Sequence, residues 1–218
     1  MNKIVFSLFL LFGSAVSLFA QTDTDAKAKA ILAQASKKYK AYDVIKTDFT
    51  FTVENPQANI KESQPGTLYA KSKANKFKVI LKEQELISDG KSLWTWLKND
   101  KEVQVTEADN SSDALNPARI FTIHEKGFKY LYTGDTRAGS KLYHNIDLTP
   151  VDGRHSFFKV RLRIDKSTKQ IINAVFFDKN GNRYTYAIRS FTPNVKVPET
   201  TFTFDVKKYP GVEVVDLR

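Results

Sequence analysis

Chemistry needs a nucleophile, a paired acid and base, or a set of metal ligands, and the 218 residues are read first for these. The three histidines, His124, His144 and His155, form neither H-E-x-x-H nor any close ligand spacing, so they read as solvated or structurally satisfied imidazoles. No G-x-S-x-G nucleophile elbow occurs, and the absence of cysteine removes a thiol nucleophile. Asp178-Lys179-Asn180-Gly181-Asn182 looks like the start of a calcium loop, but the twelfth position is Arg189, where a bidentate Glu is required. A type I′ hairpin turn is the better reading of Asn180-Gly181. Pairs of carboxylates can be drawn at will from 24 acids, so spacing supports none of them. Trp94 and Trp96 share one strand face, with Leu93 and Leu97 on the other. Such a pair can be a sugar or base platform, although cover by loops or lid residues is the preferred reading. The expectation is a binding protein and not an enzyme, with no metal and no cofactor.

Stepping from side chains to segments, the first residues read as a secretory signal. Asn2-Lys3 is a short basic start, residues 4–12 are apolar, and residues 14–20 are mostly small. Cleavage is expected after Ala20, since the apolar run is too short to cross a membrane. Residues 1–20 are thus the signal peptide and residues 21–218 a single domain. Without cysteine there is no site for a lipid anchor and no disulfide, so the domain relies on its core. The signal holds one of the 34 basic residues and none of the 24 acids, which leaves a mature charge of +9. Lys71, Lys73, Lys76, Lys78 and Lys82, like Lys159, Arg161 and Arg163, alternate with apolar residues. That spacing is a solvated sheet face and argues against nucleic acid. The charge is suited to an acidic partner surface or anionic lipid, with Lys71, Lys73 and Lys78 as the expected contacts.

The elements that carry these residues change period once. Thr22 and Asp25 are placed to cap a helix running to about Tyr42, with Ile31, Ala35, Tyr39 and Tyr42 as its apolar stripe. From Ile45 onward the period is two: Ile45, Phe49, Phe51 and Val53 alternate with polar residues. Further strands are expected over residues 66–72, 76–82, 86–88, 92–97, 102–107, 130–133, 142–149, 157–165, 171–178 and 183–189. A last strand is read around Phe202 and Phe204, and residues 212–215 end the sheet. Asn116-Pro117 opens a short helical stretch through Ile123. About eleven strands with two helical segments make a mainly β (α+β) chain whose sheet must curl, close or split into layers. Two helices are too few to cover so many strands.

The motifs in their order resemble the LolA family of periplasmic lipoprotein carriers, over nearly the whole mature chain. Ser88-Asp89-Gly90-Lys91-Ser92-Leu93-Trp94 is similar to that family's S-D-G-K-x-L-W hairpin. Gly66-x-Leu68 with Lys76-Phe77, Leu148-Thr149-Pro150, and Phe202-x-Phe204 followed by Pro210-Gly211-Val212-x-Val214 match further family landmarks. The resemblance implies a curved, open antiparallel half-barrel whose lid is the N-terminal helix and a short central helix. It implies acyl-chain contacts at Phe49, Phe51, Leu68, Phe77, Val79 and Leu81, with Ile31, Leu32, Ile120 and Phe121 in the lid. Each of these side chains also has the plain reading of ordinary core.

The implied activity is that of a chaperone which takes lipoproteins from an inner-membrane exporter complex to an outer-membrane acceptor, as a periplasmic monomer. One departure is visible. Many family members carry an Arg-Pro pair after the second strand, the Arg latching the lid; here Lys71-Ser72-Lys73-Ala74-Asn75 has neither. Lys73 offers a point charge in place of a planar fork of donors. The alternative function is a carrier or sensor of another lipid or acylated ligand on the same scaffold.

Overall fold

The switch from helical to alternating period falls between Lys40 and Ile45, where the sequence places it. A computed structural model describes residues 16–108, 120–122, 124, 127–153 and 155–218, with side chains from Asp25 onward apart from Ser72. Helix α1 (Val16–Lys40) precedes β1 (Ile45–Asn55), β2 (Ile60–Lys71), β3 (Lys76–Ile80), β4 (Gln84–Ser88), β5 (Ser92–Leu97) and β6 (Glu102–Glu107). Then follow β7 (Phe128–Ala138), β8 (Lys141–Pro150), β9 (Phe157–Asp165), β10 (Ile171–Asp178), β11 (Arg183–Pro193) and β12 (Glu213–Asp216).

All twelve strands form one sheet in the order β12-β6-β5-β4-β3-β2-β1-β11-β10-β9-β8-β7. Pairing is antiparallel except for β12, which lies parallel to β6. The end strands β12 and β7 do not pair, so the sheet stays open. A sheet this wide curls because each strand twists relative to its neighbour. The inner faces of its two halves share one core with α1.

Several expectations are corrected. Helix α1 spans Val16–Lys40, so Thr22 and Asp25 lie inside it and not at its start; no glycine or proline interrupts residues 16–40. The second helix expected from Asn116 lies largely outside the described residues, and Ile120, Phe121 and Thr122 form a turn. Phe202 ends a 3-10 turn (Glu199–Phe202) and Phe204 follows it, so neither is in a strand. This segment packs through its rings instead, Phe204 lying against Tyr209 and Trp96. β2 begins six residues before the expected start, because the exposed stretch from Ile60 to Pro65 hides its alternation. Pro65 is tolerated there since β3 pairs only as far as Thr67, leaving that part of β2 at an edge. Asn180-Gly181 is not type I′: only Gly181 has a positive φ, of 85°, which makes a type I turn closed by a left-handed glycine.

Local chemistry explains the remaining boundaries. Ala28, Ile31, Leu32, Ala35 and Tyr39 make one buried stripe at helical spacing. Lys37, Lys38 and Lys40 in the last turn oppose the negative end of the helix dipole. On the outer face of β4–β6, Trp96 lies 4.3 Å from Tyr209 and 6.2 Å from Phe204, ring centre to ring centre. The tryptophan pair is therefore covered, by the C-terminal segment and not by the lid. Glu199 anchors that segment to Lys71 at 2.6 Å and Lys76 at 2.9 Å, and these hydrogen bonds lower its carboxyl to about 2.

The Ser-Asp-Gly hairpin earns its residues by geometry. The Asp89 carboxylate accepts from the amides of Lys91 and Ser92, each at 2.8 Å, and the Ser88 hydroxyl accepts from Gly90 N at 3.1 Å. Gly90 has φ +93°, and a Cβ there would stand 2.6 Å from the Ala74 carbonyl oxygen. Gly90→Ala should cost about 2–4 kcal/mol, from left-handed strain and a clash that the backbone cannot relieve cheaply. Gly139→Ala, with φ +59° and no atom within 4 Å, should lose only about 1–2 kcal/mol. Urea denaturation of both variants checks this, and equal losses would remove the role given to the Ala74 contact.

Candidate functional site

The inner face is built by strand register. Thr47 and Val79 both stand opposite Leu68, Phe77 stands opposite Ala70, and Phe49 stands opposite Gly66. Gly66 is the residue that seats Phe49: an added Cβ would lie 2.4 Å from its ring and 2.8 Å from Leu81. The six expected contact residues thus meet on one face. Phe49, Leu68, Phe77, Val79 and Leu81 are buried in a single cluster, and Phe51 packs half-buried at its margin. The four residues expected in the lid join the same cluster: Ile31 and Leu32 from α1, Ile120 and Phe121 from the turn.

Sequence reasoning placed the site on β1–β3 only. The structure extends the apolar floor across β8–β11, through Ile146, Leu148, Val160, Leu162, Ala174 and Phe176. Their alternation was legible, but which face each strand turned inward was not. An aromatic series also crosses this half: Phe51 to Tyr186 at 4.9 Å, Tyr186 to Phe176 at 5.9 Å, and Phe176 to Phe157 at 5.3 Å. Each such ring pair contributes roughly 0.5–1.5 kcal/mol beyond its area. Burial pushes the Tyr186 hydroxyl far up, so it stays neutral on this floor. Thr47 is a polar exception, fully buried with a hydroxyl that has no hydrogen-bond partner among the described residues.

Helix α1 is fastened along its length by polar contacts. Near the helix end, the buried Tyr39 hydroxyl accepts from Ile171 N at 2.7 Å, and Lys38 donates to the Thr168 carbonyl at 2.6 Å. The Tyr39 ring meets Phe121 at 4.6 Å and Phe191 at 5.7 Å, tying helix, turn and β11 together. Closer to the helix start, Lys27 sits 3.9 Å over the Tyr132 ring. Tyr132 in turn donates to Asp135 at 2.6 Å, and His144 and Lys166 each reach Asp135 at 2.7 Å. The stretch where the resemblance leads one to expect an Arg-Pro pair is a 3-10 turn (Ser72–Ala74), on which Lys73 is exposed.

Lys71 and Lys78, expected to be surface contacts, are committed elsewhere. Lys71 pairs with Glu199, and Lys78 lies 2.9 Å from the buried Glu85 carboxylate, which Lys98 also meets at 3.3 Å. Among the described residues no group of three or more His, Asp or Glu side chains is arranged to hold a metal ion. No helix among them is long and apolar enough to cross a membrane.

This geometry, an apolar inner face under a helix held at its rim, meets a clear counterpart among known proteins. A family model for the outer membrane lipoprotein carrier protein LolA matches residues 40–205. The chain belongs to the LolA family. It is 28% identical over 208 residues to an outer-membrane lipoprotein carrier protein of Pasteurella multocida, covering 93% of this chain and 94% of that one. The corresponding protein of Haemophilus influenzae is 28% identical over 181 residues, covering 81% and 82%.

Among solved structures, an uncharacterized conserved protein of Thermus thermophilus aligns with TM-score 0.54 at 17% identity, covering 87% of this chain and 99% of that one. A putative outer membrane lipoprotein-sorting protein domain of Vibrio parahaemolyticus aligns with TM-score 0.50 at 10% identity, covering 82% and 97%. These two likenesses show the fold. LolA carriers are binding chaperones, so membership makes this chain a lipoprotein-carrier family protein and not an enzyme.

The rim cluster around Asp135 yields a pH prediction for this LolA-family chain. Partial burial pushes the Asp135 carboxyl up, but hydrogen bonds from Lys166, Tyr132 and His144 outweigh it and hold it well below the usual carboxylate range. A depressed folded value means the contribution is complete at neutral pH. It fades as pH falls past the ordinary value of 3.8 and is gone below the folded value. Asp135→Asn should be less stable than the parent at pH 7 by about 1 kcal/mol. That gap should narrow below pH ~4. Denaturant titrations at neutral and acid pH measure it, and a gap independent of pH would refute the assignment.

Proposed function

We propose that the chain is a periplasmic carrier that holds the acyl chains of lipoproteins between α1, the Ile120–Phe121 turn and the inner face of the sheet. Support comes from one observation above all: the proposed cargo residues and the proposed lid residues occupy a single contiguous apolar cluster. In that arrangement the lid satisfies the floor when no cargo is bound. Phe49, Phe51, Leu68, Phe77, Val79 and Leu81 are the acyl contacts, and Ile31, Leu32, Ile120 and Phe121 are the groups that cargo displaces.

The energetics favour such an exchange. Burying a methylene contributes about 0.8 kcal/mol, so one acyl chain represents roughly 10 kcal/mol. Cargo bound by displacing the lid gains only the difference between its own contacts and the lid's. The difference is small enough to allow release, and contacts made by branched and aromatic side chains discriminate little between chain lengths. Lid opening would break the Tyr39–Ile171, Lys38–Thr168 and Lys27–Tyr132 contacts, which in this chain do the work of the family's Arg latch. Residues 1–20 act as the export signal. The mature protein, a monomer, receives cargo from an inner-membrane exporter complex and delivers it to an outer-membrane acceptor.

Protein purified from its native envelope should carry acylated lipoproteins detectable by mass spectrometry. Phe77→Glu places an uncompensated carboxylate at a position only 4% exposed and should empty it. Phe51→Glu, at a half-buried position, should weaken loading while keeping the parent's circular dichroism, which guards against simple unfolding. Free lipid or glycolipid in place of lipoproteins would redirect the reading to another acylated ligand. An empty protein that also releases no lipoprotein from inner-membrane vesicles would overturn it.

A further inference from the structure

The outer face of the sheet is treated differently in its two halves. Over β4–β6 it is covered by the C-terminal segment through Phe204 and Tyr209. Over β8–β11 the alternation turns Lys159, Arg161, Arg163, Arg183 and Arg189 outward. Register sets them side by side: Phe177 stands opposite Lys159 on one side and Arg183 on the other, and Asn173 stands opposite Arg163.

Phe177 is the centre of the arrangement. The Lys159 ammonium lies 4.3 Å from its ring centre, and the Arg161 and Arg183 guanidinium carbons each lie 5.8 Å from it. Arg163 lies 5.9 Å from the Tyr143 ring. Next to them Phe158 is 51% exposed and 6.2 Å from Phe177.

Carboxylates on this face are already committed. Asp147 is 8% exposed and is gripped by Arg161 through two bonds of 2.7 and 2.8 Å. Asp165 is 4% exposed and accepts from the Ser167 amide, the Ser167 hydroxyl and the Thr168 amide. Glu54 stands opposite Arg183 on β1, yet among the described residues no ion pair joins them. The face thus carries a surplus of exposed arginine, with an exposed aromatic ring at its margin.

We propose that the outer face of β8–β11 docks the protein on an anionic lipid surface. Cations at strand spacing, standing over rings, present a lattice that meets many phosphate headgroups at once without selecting one. Long basic side chains lie along apolar surface and keep their charge at the water boundary, and an exposed phenylalanine beside them can enter the interface. Charge complementarity commits the occupant to lipid phosphate, and the exposed Phe158 favours a bilayer over an acidic protein. The site lies on the opposite side of the sheet from the acyl-chain face, so docking leaves the lid free. It also moves the basic contact surface away from Lys71 and Lys78, whose charges the protein itself neutralises.

The test uses the full mature chain and sedimentation with vesicles of phosphatidylcholine and phosphatidylglycerol in roughly two-to-one ratio, against phosphatidylcholine alone. Binding is expected only to the anionic vesicles and should fall as salt rises. Arg163→Glu with Arg183→Glu should weaken it by about tenfold or more, and Phe158→Ser should weaken it at constant net charge. Lys207→Glu with Lys208→Glu makes the same change of net charge on the C-terminal segment and should have little effect. Thermal transitions equal to the parent's establish that the variants are folded. Equal losses for both charge pairs, or no vesicle binding, would overturn the proposal. Salt-sensitive binding to polyglutamate without vesicle binding would overturn it too, and would assign the face to an acidic protein. Because protein without acyl cargo is used, failure here leaves the carrier reading standing.

Discussion

The open sheet of twelve strands turns one broad apolar face inward. The rest of the structure follows from the need to keep that face out of water. Burial of a large apolar side chain contributes roughly 1.5–3 kcal/mol, and Phe49, Leu68, Phe77, Val79 and their partners on β8–β11 sit under cover that is not covalently fixed. The curl of the sheet brings its two halves toward α1 and the Ile120–Phe121 turn. In the proposed carrier, these covering parts keep the interior dry when empty and are what cargo would displace.

Polar contacts are placed so that this interior stays apolar. Lys38–Thr168 and the Lys27–Tyr132–Asp135 series orient α1 without placing charge on the floor, and the buried Tyr39–Ile171 bond uses a neutral phenol. Tyr186 remains a neutral phenol within the aromatic series. The Thr47 hydroxyl has no hydrogen-bond partner among the described residues, and a buried group left so costs about 1–3 kcal/mol.

The outer face follows a separate logic. The C-terminal segment closes one half with Phe204 and Tyr209 over Trp96, anchors through Glu199, and ends as a parallel strand on β6. On the other half Arg161 pairs with Asp147, while Arg163, Arg183 and Arg189 stay exposed to solvent. Division of labour between faces follows from the period of two, since adjacent residues serve different surroundings.

Much was legible in the residues. The change of period after Tyr42 marked helix from sheet, and Ser88-Asp89-Gly90 marked a hairpin whose geometry demands those types. Alternation at Phe49, Phe51, Phe77 and Val79 identified one apolar face, because side-chain direction along a strand is local. Other features depend on what lies opposite. The exposed start of β2 has no apolar pattern and is a strand only because β1 pairs with it. Phe202 and Phe204 alternate like a strand, but their environment is Trp96 and Tyr209, brought in from far along the chain. Lys71 and Lys78 read as free surface charge until Glu199 and Glu85 were placed beside them. By itself the sequence determined periodicity, turn chemistry and the apolar character of one face, which are properties of neighbouring residues. Only the tertiary structure decided strand order, the extent of the floor across β8–β11 and which cations remain unneutralised, because each is set by partners distant in the chain.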